Sequence, residues 1–351
     1  MQYNSCFRNI VLWYGRNQRD LPFRGVKDPY KIWLSETMLQ QTQVKSAIPY
    51  YNKWLKRFPS LKDVSKANLE ELLKLWEGLG YYRRVHNFFK AVKIITKVHN
   101  GIIPKNYNSF ISLPGVGEYT AAAVLSIAYK KPYPAIDVNV KRVLARILGI
   151  KHFTVFNKRR IFKVLKKNIQ LFHPGSFNQS LMELGALICK PKQPVCCKCP
   201  ASSYCKGFNL DKPEDYPAIK KRSKKPHHSF VSALIWREEK FYIQKRNNVG
   251  MLPGLWETPS FEIKEGEKPE ISLRKGMRKN FGTSVKIINR IGAVQHAYSH
   301  FSITLHGFNC LELNSQIKGA RDFDWISKID LINFTFPRAN YKLFSLIDLK
   351  V

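Results

Sequence analysis

The stretch CKPKQPVCCKCPASSYC, residues 189–205, decides how the first part of this chain folds. Four of its five cysteines have the spacing C-x6-C-x2-C-x5-C, namely Cys189, Cys196, Cys199 and Cys205, and Cys197 lies outside this pattern. Four thiolates that converge on one point bind an iron–sulfur cluster or a structural zinc ion. Zinc sites usually contain two separated C-x2-C pairs, and this stretch contains one. We therefore expect an iron–sulfur cluster, with zinc or unligated thiols as the alternatives.

The composition of the whole chain indicates a polyanionic partner. Its 351 residues include 59 Lys and Arg against 25 Asp and Glu, a formal net charge of +34. Such an excess favours nucleic acid, although a lysine-rich proteome produces the same bias. We expect no membrane partner, because no stretch is apolar for long enough to span a bilayer. Met1–Asn17 lacks the order of a signal peptide, so we expect a cytoplasmic protein with reduced cysteines.

The hydrophobic pattern divides the chain into two domains. Residues 1–210 are predicted to be helical, and residues 211–228, which contain prolines and a basic run, are predicted to be a linker. Residues 229–351 alternate like strands and predict an α+β domain. The predicted strands cover residues 230–236, 240–246, 285–291 and 301–313, and the predicted helices cover residues 273–281 and 341–349.

Glu36 is a candidate proton donor. Asp28 and Pro29 are typical of the N-cap and first position of a helix, which we predict to run through about Thr42. On that helix Glu36 shares its face with apolar residues and amides, namely Ile32, Trp33, Leu39, Gln40 and Gln43. Such surroundings raise the pKa of a carboxyl group and favour proton donation. A helical glutamate is nevertheless more often a solvated surface residue.

A second carboxylate, Asp137, precedes a predicted helix with an apolar stripe. Its simplest interpretation is an N-cap for the helix that begins at Val138. A helix N-terminus also favours the ionised carboxylate, which is the form that stabilises a developing sugar cation. The two roles are compatible.

Two glycine-containing loops are candidates for contact with DNA. LPGVG, residues 113–117, allows a tight turn whose N–H groups meet a phosphate, or it is an ordinary connection between helices. GLGYYRR, residues 78–84, carries a tyrosine pair that wedges into a base stack or packs in the core.

Together these motifs resemble those of the helix-hairpin-helix glycosylase superfamily, specifically the MutY-type adenine DNA glycosylases. The similarity rests on WLSETMLQQTQ (33–43), GLGYY (78–82), LPGVG (113–117), Asp137 with NVKRV (139–143), and the cysteine spacing. The resemblance implies an all-α glycosylase domain with a 4Fe–4S cluster, followed by an α+β MutT/Nudix-like domain. It also implies a monomeric enzyme that removes adenine mispaired with 8-oxoguanine or guanine from double-stranded DNA.

The resemblance also implies roles for individual residues. Glu36 would protonate adenine at N7, and Asp137 would stabilise the oxocarbenium-like sugar. Tyr119 and Asn139 would support that site. The implied contacts with DNA are Arg19, Arg24, Gln41, Tyr81, Gly115 and Gly117, and the implied cluster ligands are Cys189, Cys196, Cys199 and Cys205.

The second domain resembles the part of this family that recognises 8-oxoguanine. HAYSH, residues 296–300, is similar to the family's recognition loop, with Ser299 and His300 as the base contacts. Residues 273–281 contain no acid, whereas true MutT hydrolases hold magnesium with acids on this helix. We therefore expect this domain to bind without hydrolysis.

Two departures affect the expected chemistry. Tyr119 stands where lyase-active relatives carry a lysine nucleophile, and a phenol forms no Schiff base. We therefore expect a monofunctional, hydrolytic enzyme. Val138 follows Asp137 where a small residue is more common, and we expect it to crowd the sugar pocket. The alternatives are an endonuclease III-like pyrimidine glycosylase-lyase and a non-catalytic iron–sulfur DNA-binding protein.

Overall fold

A computed structural model describes residues 3–218, 225–247, 250–313, 317 and 322–347 of the chain. The chain forms two compact units, Met1–Ala67 with His86–Lys221 and Asn68–Val85 with Arg222–Val351. The helices before the first strand are α1 (Asn4–Asn17), α2 (Pro29–Leu39), α3 (Val44–Arg57), α4 (Leu61–Lys66), α5 (Leu69–Trp76), α6 (Arg83–Val98), α7 (Tyr107–Ile111), α8 (Glu118–Tyr129), α9 (Val138–Leu148), α10 (Val155–Ile169), α11 (Pro174–Leu187) and α12 (Lys206–Asn209). The predicted helical character of the first part is confirmed.

Helices α9 and α11 provide much of the core of the first unit. The apolar stripe of α9 is buried, as its helical spacing predicts. Its partners come from α1, α10 and α11 and include Phe7, Ile161, Phe177 and Leu181. Ala201 and Cys205 join the same core, so the cysteine-rich stretch is packed onto these helices.

Helix α2 is enclosed on nearly all sides. Asp28 caps its N-terminus by accepting a 2.9 Å hydrogen bond from the Tyr30 N–H, and Pro29 follows at the first position, as predicted. The ring of Trp33 packs against Phe88 and Phe110, with centroids 4.3 and 5.7 Å away. The packing of these rings restricts the motion of the helix and of the side chains that it carries.

The second unit is built on a mixed sheet. Its strands are β1 (His227–Arg237), β2 (Lys240–Lys245), β3 (Trp256–Glu257), β4 (Ser260–Glu262), β5 (Val285–Ala297), β6 (Ser302–Glu312) and β7 (Phe323–Ile326). The main order is β3-β2-β1-β6-β5, with β4 paired to β1 and β7 to β2. Strands β1 and β6 are parallel, and the other pairs are antiparallel.

Two helices bury the two faces of this sheet. Helix α13 (Pro269–Phe281) covers one face, where Val231 and Ile235 of β1 meet Leu273 and Met277. Helix α14 (Arg338–Phe344) covers the other face, where Leu234 belongs to the core. The alternation along β1 is the two-residue period of a strand, and it confirms the predicted α+β class.

Several predicted boundaries are wrong. Helix α2 ends at Leu39 and not near Thr42, because Gln41 takes up a left-handed conformation with φ +57°. Gln43 therefore does not share a helical face with Glu36. Strand β5 extends to Ala297, and the short strands β3, β4 and β7 were not predicted.

In the part of the chain that the structure describes, fewer residues connect the two units than the predicted linker, 211–228, contains. The Ala218 N–H donates to the Lys151 carbonyl, and the Tyr216 carbonyl accepts from Arg146, so this part folds onto the first unit. Strand β1 already begins at His227. Most of the predicted basic run, at residues 219–224, and the end of the predicted helix 341–349 lie outside the described residues. In the described part of the chain no helix is long and apolar enough to cross a membrane.

Candidate active site

Glu36 lies in the middle of α2 and is 9% exposed. The hydroxyl of Tyr119 donates a hydrogen bond of 2.7 Å to its Oε2 atom. Burial, together with the negative charge of Asp137, raises the pKa of Glu36 from its ordinary 4.5 to about 6. The hydrogen bond from Tyr119 and the cation of Arg24 oppose these effects. A carboxyl group with this pKa keeps a useful protonated fraction near neutral pH.

Tyr119 belongs to the first turn of α8, which begins directly after the glycine-containing hairpin. Burial, followed by the charges of Glu36 and Asp137, raises the pKa of Tyr119 well above its usual 10. The phenol therefore keeps its proton and acts as a hydrogen-bond donor.

Asp137 caps helix α9, as predicted. Its Oδ1 accepts a 2.6 Å hydrogen bond from the Val140 N–H, and its Oδ2 accepts one of 3.1 Å from the Asn139 side chain. Burial nevertheless raises the pKa of Asp137 above its ordinary value, against these hydrogen bonds and the charge of Arg142. The hydrogen bonds at the helix terminus therefore lower the pKa of Asp137, but by less than desolvation raises it.

A chain of hydrogen bonds connects Asp137 to the cysteine-rich stretch. Asn139 donates to Asp137 and accepts a 2.8 Å hydrogen bond from Arg142. Arg142 also donates to the carbonyls of Gly185 and Cys189, each at 2.8 Å. Gly185 is required here, because a Cβ atom at this position would lie 2.7 Å from Asn139 Cβ. The sequence did not predict a role for Arg142, although Arg142 belongs to the NVKRV motif, residues 139–143.

The four predicted ligands, Cys189, Cys196, Cys199 and Cys205, line one pocket with about 290 Å³ of space, part of it open to solvent. Arg146 is 2% exposed and donates to the carbonyls of Lys190 and Pro191 at 2.7 and 2.9 Å. It also lies 3.3 Å from Cys189 Sγ. Among the described residues, no three His, Cys, Asp or Glu side chains are arranged to hold a single metal ion. The remaining cysteines, Cys6, Cys197 and Cys310, do not line the pocket.

The two glycines of the hairpin before α8 have different structural roles. Gly115 has a φ of +78°, and a Cβ atom at this position would lie 2.7 Å from Asn87 Cβ. Gly117 has an ordinary φ of −93° and is the N-cap of α8. A Cβ atom at Gly117 would meet nothing within 4 Å, so this face of the loop is open to a ligand. An open helix N-terminus with free N–H groups is suited to a phosphate.

The two predicted base-contacting arginines, Arg19 and Arg24, converge on one residue that sequence reasoning missed. Glu183 of α11 is 1% exposed and accepts hydrogen bonds from Arg19 at 2.7 and 2.9 Å. Arg24 donates to the same carboxylate at 3.0 Å. The available signal was a single acid within the apolar run of α11. The arrangement holds both guanidinium groups in place, with Arg24 near Glu36.

Gln41 and Val138 are both exposed. Gln41 follows the end of α2, where the left-handed turn presents it to solvent. Gln40, before it, donates to the Thr120 hydroxyl at 3.2 Å and thereby connects this turn to α8. Val138 is 74% exposed and lies directly after Asp137, and its expected crowding of the sugar pocket stays a prediction.

The remaining predicted contacts, Tyr81, Ser299 and His300, belong to the second unit. The turn between β5 and β6 is closed by a 2.8 Å hydrogen bond from the Tyr298 N–H to the Phe301 carbonyl. Ser299 and His300 are exposed at the tip of this turn. Tyr81 has a left-handed backbone, and its hydroxyl is hydrogen-bonded to the Ser299 hydroxyl. Two residues predicted to contact the lesion, far apart in the chain, therefore meet.

Comparison with known proteins gives a family for each part of the chain. Residues 34–169 match the HhH-GPD superfamily of base excision DNA repair proteins. Residues 231–346 match the NUDIX domain family. The first region contains the helix of Glu36, the hairpin and the Asp137 cap, and the second covers the mixed sheet and both of its helices.

Full-length relatives agree with these matches. The chain is 35% identical over 304 residues to the adenine DNA glycosylase of Buchnera aphidicola subsp. Baizongia pistaciae, covering 86% of this chain and 84% of the relative. It is 30% identical over 405 residues to the human adenine DNA glycosylase, covering 97% of this chain and 73% of the relative. The structure of a thermostable thymine-DNA glycosylase aligns with a TM-score of 0.55 and 27% identity, over 58% of this chain and 95% of that one.

Proposed function

The chain belongs to the adenine DNA glycosylases of base-excision repair, and we propose that it hydrolyses the N-glycosidic bond of adenine mispaired with 8-oxoguanine or guanine. The observation that carries this proposal is the buried pair formed by Glu36 and Tyr119, with Asp137 close enough to raise the pKa of Glu36. Single-turnover release of adenine by Glu36→Gln and Asp137→Asn tests it.

Glu36 is the general acid in this proposal. Its pKa of about 6 lets it deliver a proton to N7 of adenine, which turns the base into a neutral leaving group. The bond between C1′ and N9 then breaks, and positive charge develops on the sugar. Water adds to C1′, and its proton returns to a carboxylate of the site.

Asp137 stabilises the developing oxocarbenium ion. Asn139 and the α9 N-terminus hold both of its oxygens in place, so the carboxylate needs little reorganisation during the reaction. Paired carboxylates divide the work in this manner in glycoside hydrolysis generally. The buried pairing of Glu36 with Tyr119 supports catalysis over a purely DNA-binding role, because a binding module has no need of a desolvated acid.

A monofunctional mechanism follows from Tyr119. The residue offers a phenol, and that phenol already donates its hydrogen bond to Glu36. No amine stands at this position to attack C1′ and form a Schiff base. The endonuclease III-like lyase alternative requires such an amine, and water is therefore the nucleophile in our proposal.

A 4Fe–4S cluster fits the cysteine pocket. The four cysteines line one pocket, and four converging thiolates are the ligand set of such a cluster. Cys189, Cys196, Cys199 and Cys205 would hold the cluster, and its role would be to fix the loop that they share. Arg142 and Arg146, which bind the carbonyls of this loop, connect its position to that of Asp137.

The second unit supplies recognition of the opposite base. Ser299 and His300 stand at the tip of an exposed turn, where a hydroxyl and an imidazole can bind a base edge. Residues 273–281 of α13 contain no acid to hold magnesium, and we propose that the unit binds without hydrolysis. In this proposal Gly115 and Gly117 bind phosphates of the duplex, and Arg19, Arg24, Gln41 and Tyr81 contact the DNA at the lesion. In this proposal the enzyme acts as a monomer on double-stranded DNA.

A further inference from the structure

The loop that connects α5 to α6 holds a tyrosine in a left-handed conformation. Gly78, Gly80 and Tyr81 have φ angles of +90°, +76° and +51°. Glycine takes up such angles readily, whereas a residue with a Cβ atom is strained there. Strain of this kind persists only where the surroundings determine the backbone from several sides. The loop must therefore contain something that holds Tyr81 in place.

Arg84 holds this loop from within. Its Nη2 donates to the carbonyl of Gly80 at 2.9 Å and to that of Leu79 at 3.3 Å. Its Nε donates to the carbonyl of Tyr81 at 3.4 Å, and its backbone N–H donates to the same carbonyl at 2.9 Å. Three successive carbonyls of the loop thus face one guanidinium group.

Aromatic rings complete the arrangement. The guanidinium carbon lies 5.2 Å from the ring centroid of Trp76 and 5.3 Å from that of Tyr81. The indole of Trp76 donates a further 3.0 Å hydrogen bond to the Gly80 carbonyl. Arg84 is 9% exposed, and burial lowers its pKa to about 10, which leaves it charged near neutral pH. Only a planar group with several donors stacks on rings and binds carbonyls at once.

We propose that Arg84 is a positioning residue, which prearranges Tyr81 for insertion into the base stack beside the target adenine. The inference rests on the proposed function, in which Tyr81 lies at the lesion. A side chain that is already held in its working conformation loses less entropy on binding, so more of the binding energy remains to unstack the base. A lysine at this position keeps the charge but lacks the forked set of N–H donors and the planar surface with which the guanidinium group stacks on the rings.

The test compares four full-length variants with the wild type. Arg84→Lys is the probe, and Arg83→Lys is its matched control, because Arg83 is the exposed neighbour on the same helical turn. Tyr81→Ala and the double variant Arg84→Lys/Tyr81→Ala complete a cycle. Adenine release is followed in single turnover and normalised to the fraction of active enzyme. A 2-aminopurine beside the target adenine reports unstacking through its fluorescence.

We expect Arg84→Lys to slow adenine release about tenfold, the effect of losing hydrogen bonds from a charged group, and to reduce the fluorescence rise. Arg83→Lys should behave like the wild type. In the Tyr81→Ala background, Arg84→Lys should change neither readout, because its effect passes through Tyr81. Arg84→Gln, which also loses the fork, should repeat the result and serves if the lysine variant folds poorly.

Additive losses in the double variant would overturn the inference, since Arg84 would then only stabilise the fold. A slow Tyr81→Ala together with an Arg84→Lys indistinguishable from Arg83→Lys would overturn it while leaving the role of Tyr81 intact. If Tyr81→Ala released adenine at the wild-type rate and gave the wild-type fluorescence rise, Tyr81 would not contact the lesion. That result would also overturn this inference.

Discussion

The hydroxyl of Tyr119 donates a 2.7 Å hydrogen bond to Oε2 of Glu36, although 83 positions separate the two residues in the chain. Burial raises the pKa of both groups, so the phenol keeps its proton while the carboxyl group titrates near neutral pH. The hydrogen bond stabilises the ionised carboxylate and thus prevents its pKa from rising further. It also restricts the orientation of the Glu36 carboxyl group.

The first prediction concerns the pH dependence of adenine release and its change in Tyr119→Phe. The acid must be protonated, so release by the wild type at subsaturating enzyme should be constant below about pH 6 and fall above it. Removing the phenol removes an interaction that lowers the pKa of Glu36, so the decline should move to higher pH in Tyr119→Phe. Rate profiles between pH 5 and 9 measure this shift, and an unchanged or acid-shifted decline contradicts the assignment.

The second prediction is that Glu36→Gln stabilises the protein at neutral pH. The folded pKa of about 6 lies above the ordinary 4.5, so folding favours the protonated carboxyl group. The free energy of unfolding therefore falls as pH rises from 4.5 through 6 and stays lower above that range. A neutral amide avoids this cost, and we expect a gain of about 1–2 kcal/mol at pH 7.5.

Urea unfolding at pH 7.5 and pH 4 checks this prediction. The gain should be present at pH 7.5 and nearly absent at pH 4, where the wild-type carboxyl group is protonated in both states. Glu239→Gln, an exposed control, should change stability little at either pH. Destabilisation by Glu36→Gln at pH 7.5 would show that Glu36 is not a desolvated acid.

The third prediction concerns the cysteine pocket. The purified wild type should be brown and hold about four irons per chain without stoichiometric zinc. Cys199→Ala should lose iron and weaken binding to DNA, because the loop from Cys189 to Cys205 loses its common centre. Cys197→Ala is the matched control, since Cys197 is exposed and does not line the pocket. Colourless, active protein with one zinc ion excludes the cluster.

The fourth prediction concerns the base opposite the target adenine. Ser299→Ala with His300→Ala should reduce the preference for adenine opposite 8-oxoguanine over adenine opposite guanine by about tenfold, the effect of losing one good base contact. The full-length chain is needed, because the second unit includes Asn68–Val85, where Glu70, Lys74 and Glu77 bond to residues that follow Arg222 in the chain. Excision from both duplexes gives the ratio. If excision from both duplexes decreased equally, the turn would contribute only an electrostatic contact with DNA.

Local chemistry predicted much of the site. Asp28-Pro29 predicted the start of α2, the residues around Glu36 predicted its burial, and Asp137 is the cap that its position before α9 indicated. These features follow from a few neighbouring residues, and such patterns are visible in a sequence. The short strands β3 and β4 cover two and three residues, too few to establish a period.

Long-range packing determined what the sequence could not predict. The left-handed turn at Gln41 ends α2 early, and Gln40 there bonds to Thr120, 80 positions away. Glu183 pairs with Arg19 across 164 positions, and Arg142 reaches the Cys189 carbonyl across 47. No local pattern identifies such partners. The grouping of Asn68–Val85 with the second unit likewise depends on contacts distant in sequence.

The most direct test of the account is single-turnover release of adenine from a duplex with 8-oxoguanine opposite adenine, assayed with and without alkali. We predict that the wild type produces abasic sites that break only after alkali, and that Glu36→Gln and Asp137→Asn each slow release a hundredfold or more while binding the duplex. Glu239→Gln should match the wild type. Release near the wild-type rate by either variant, or strand breaks without alkali, would contradict a hydrolytic glycosylase built on these two carboxylates.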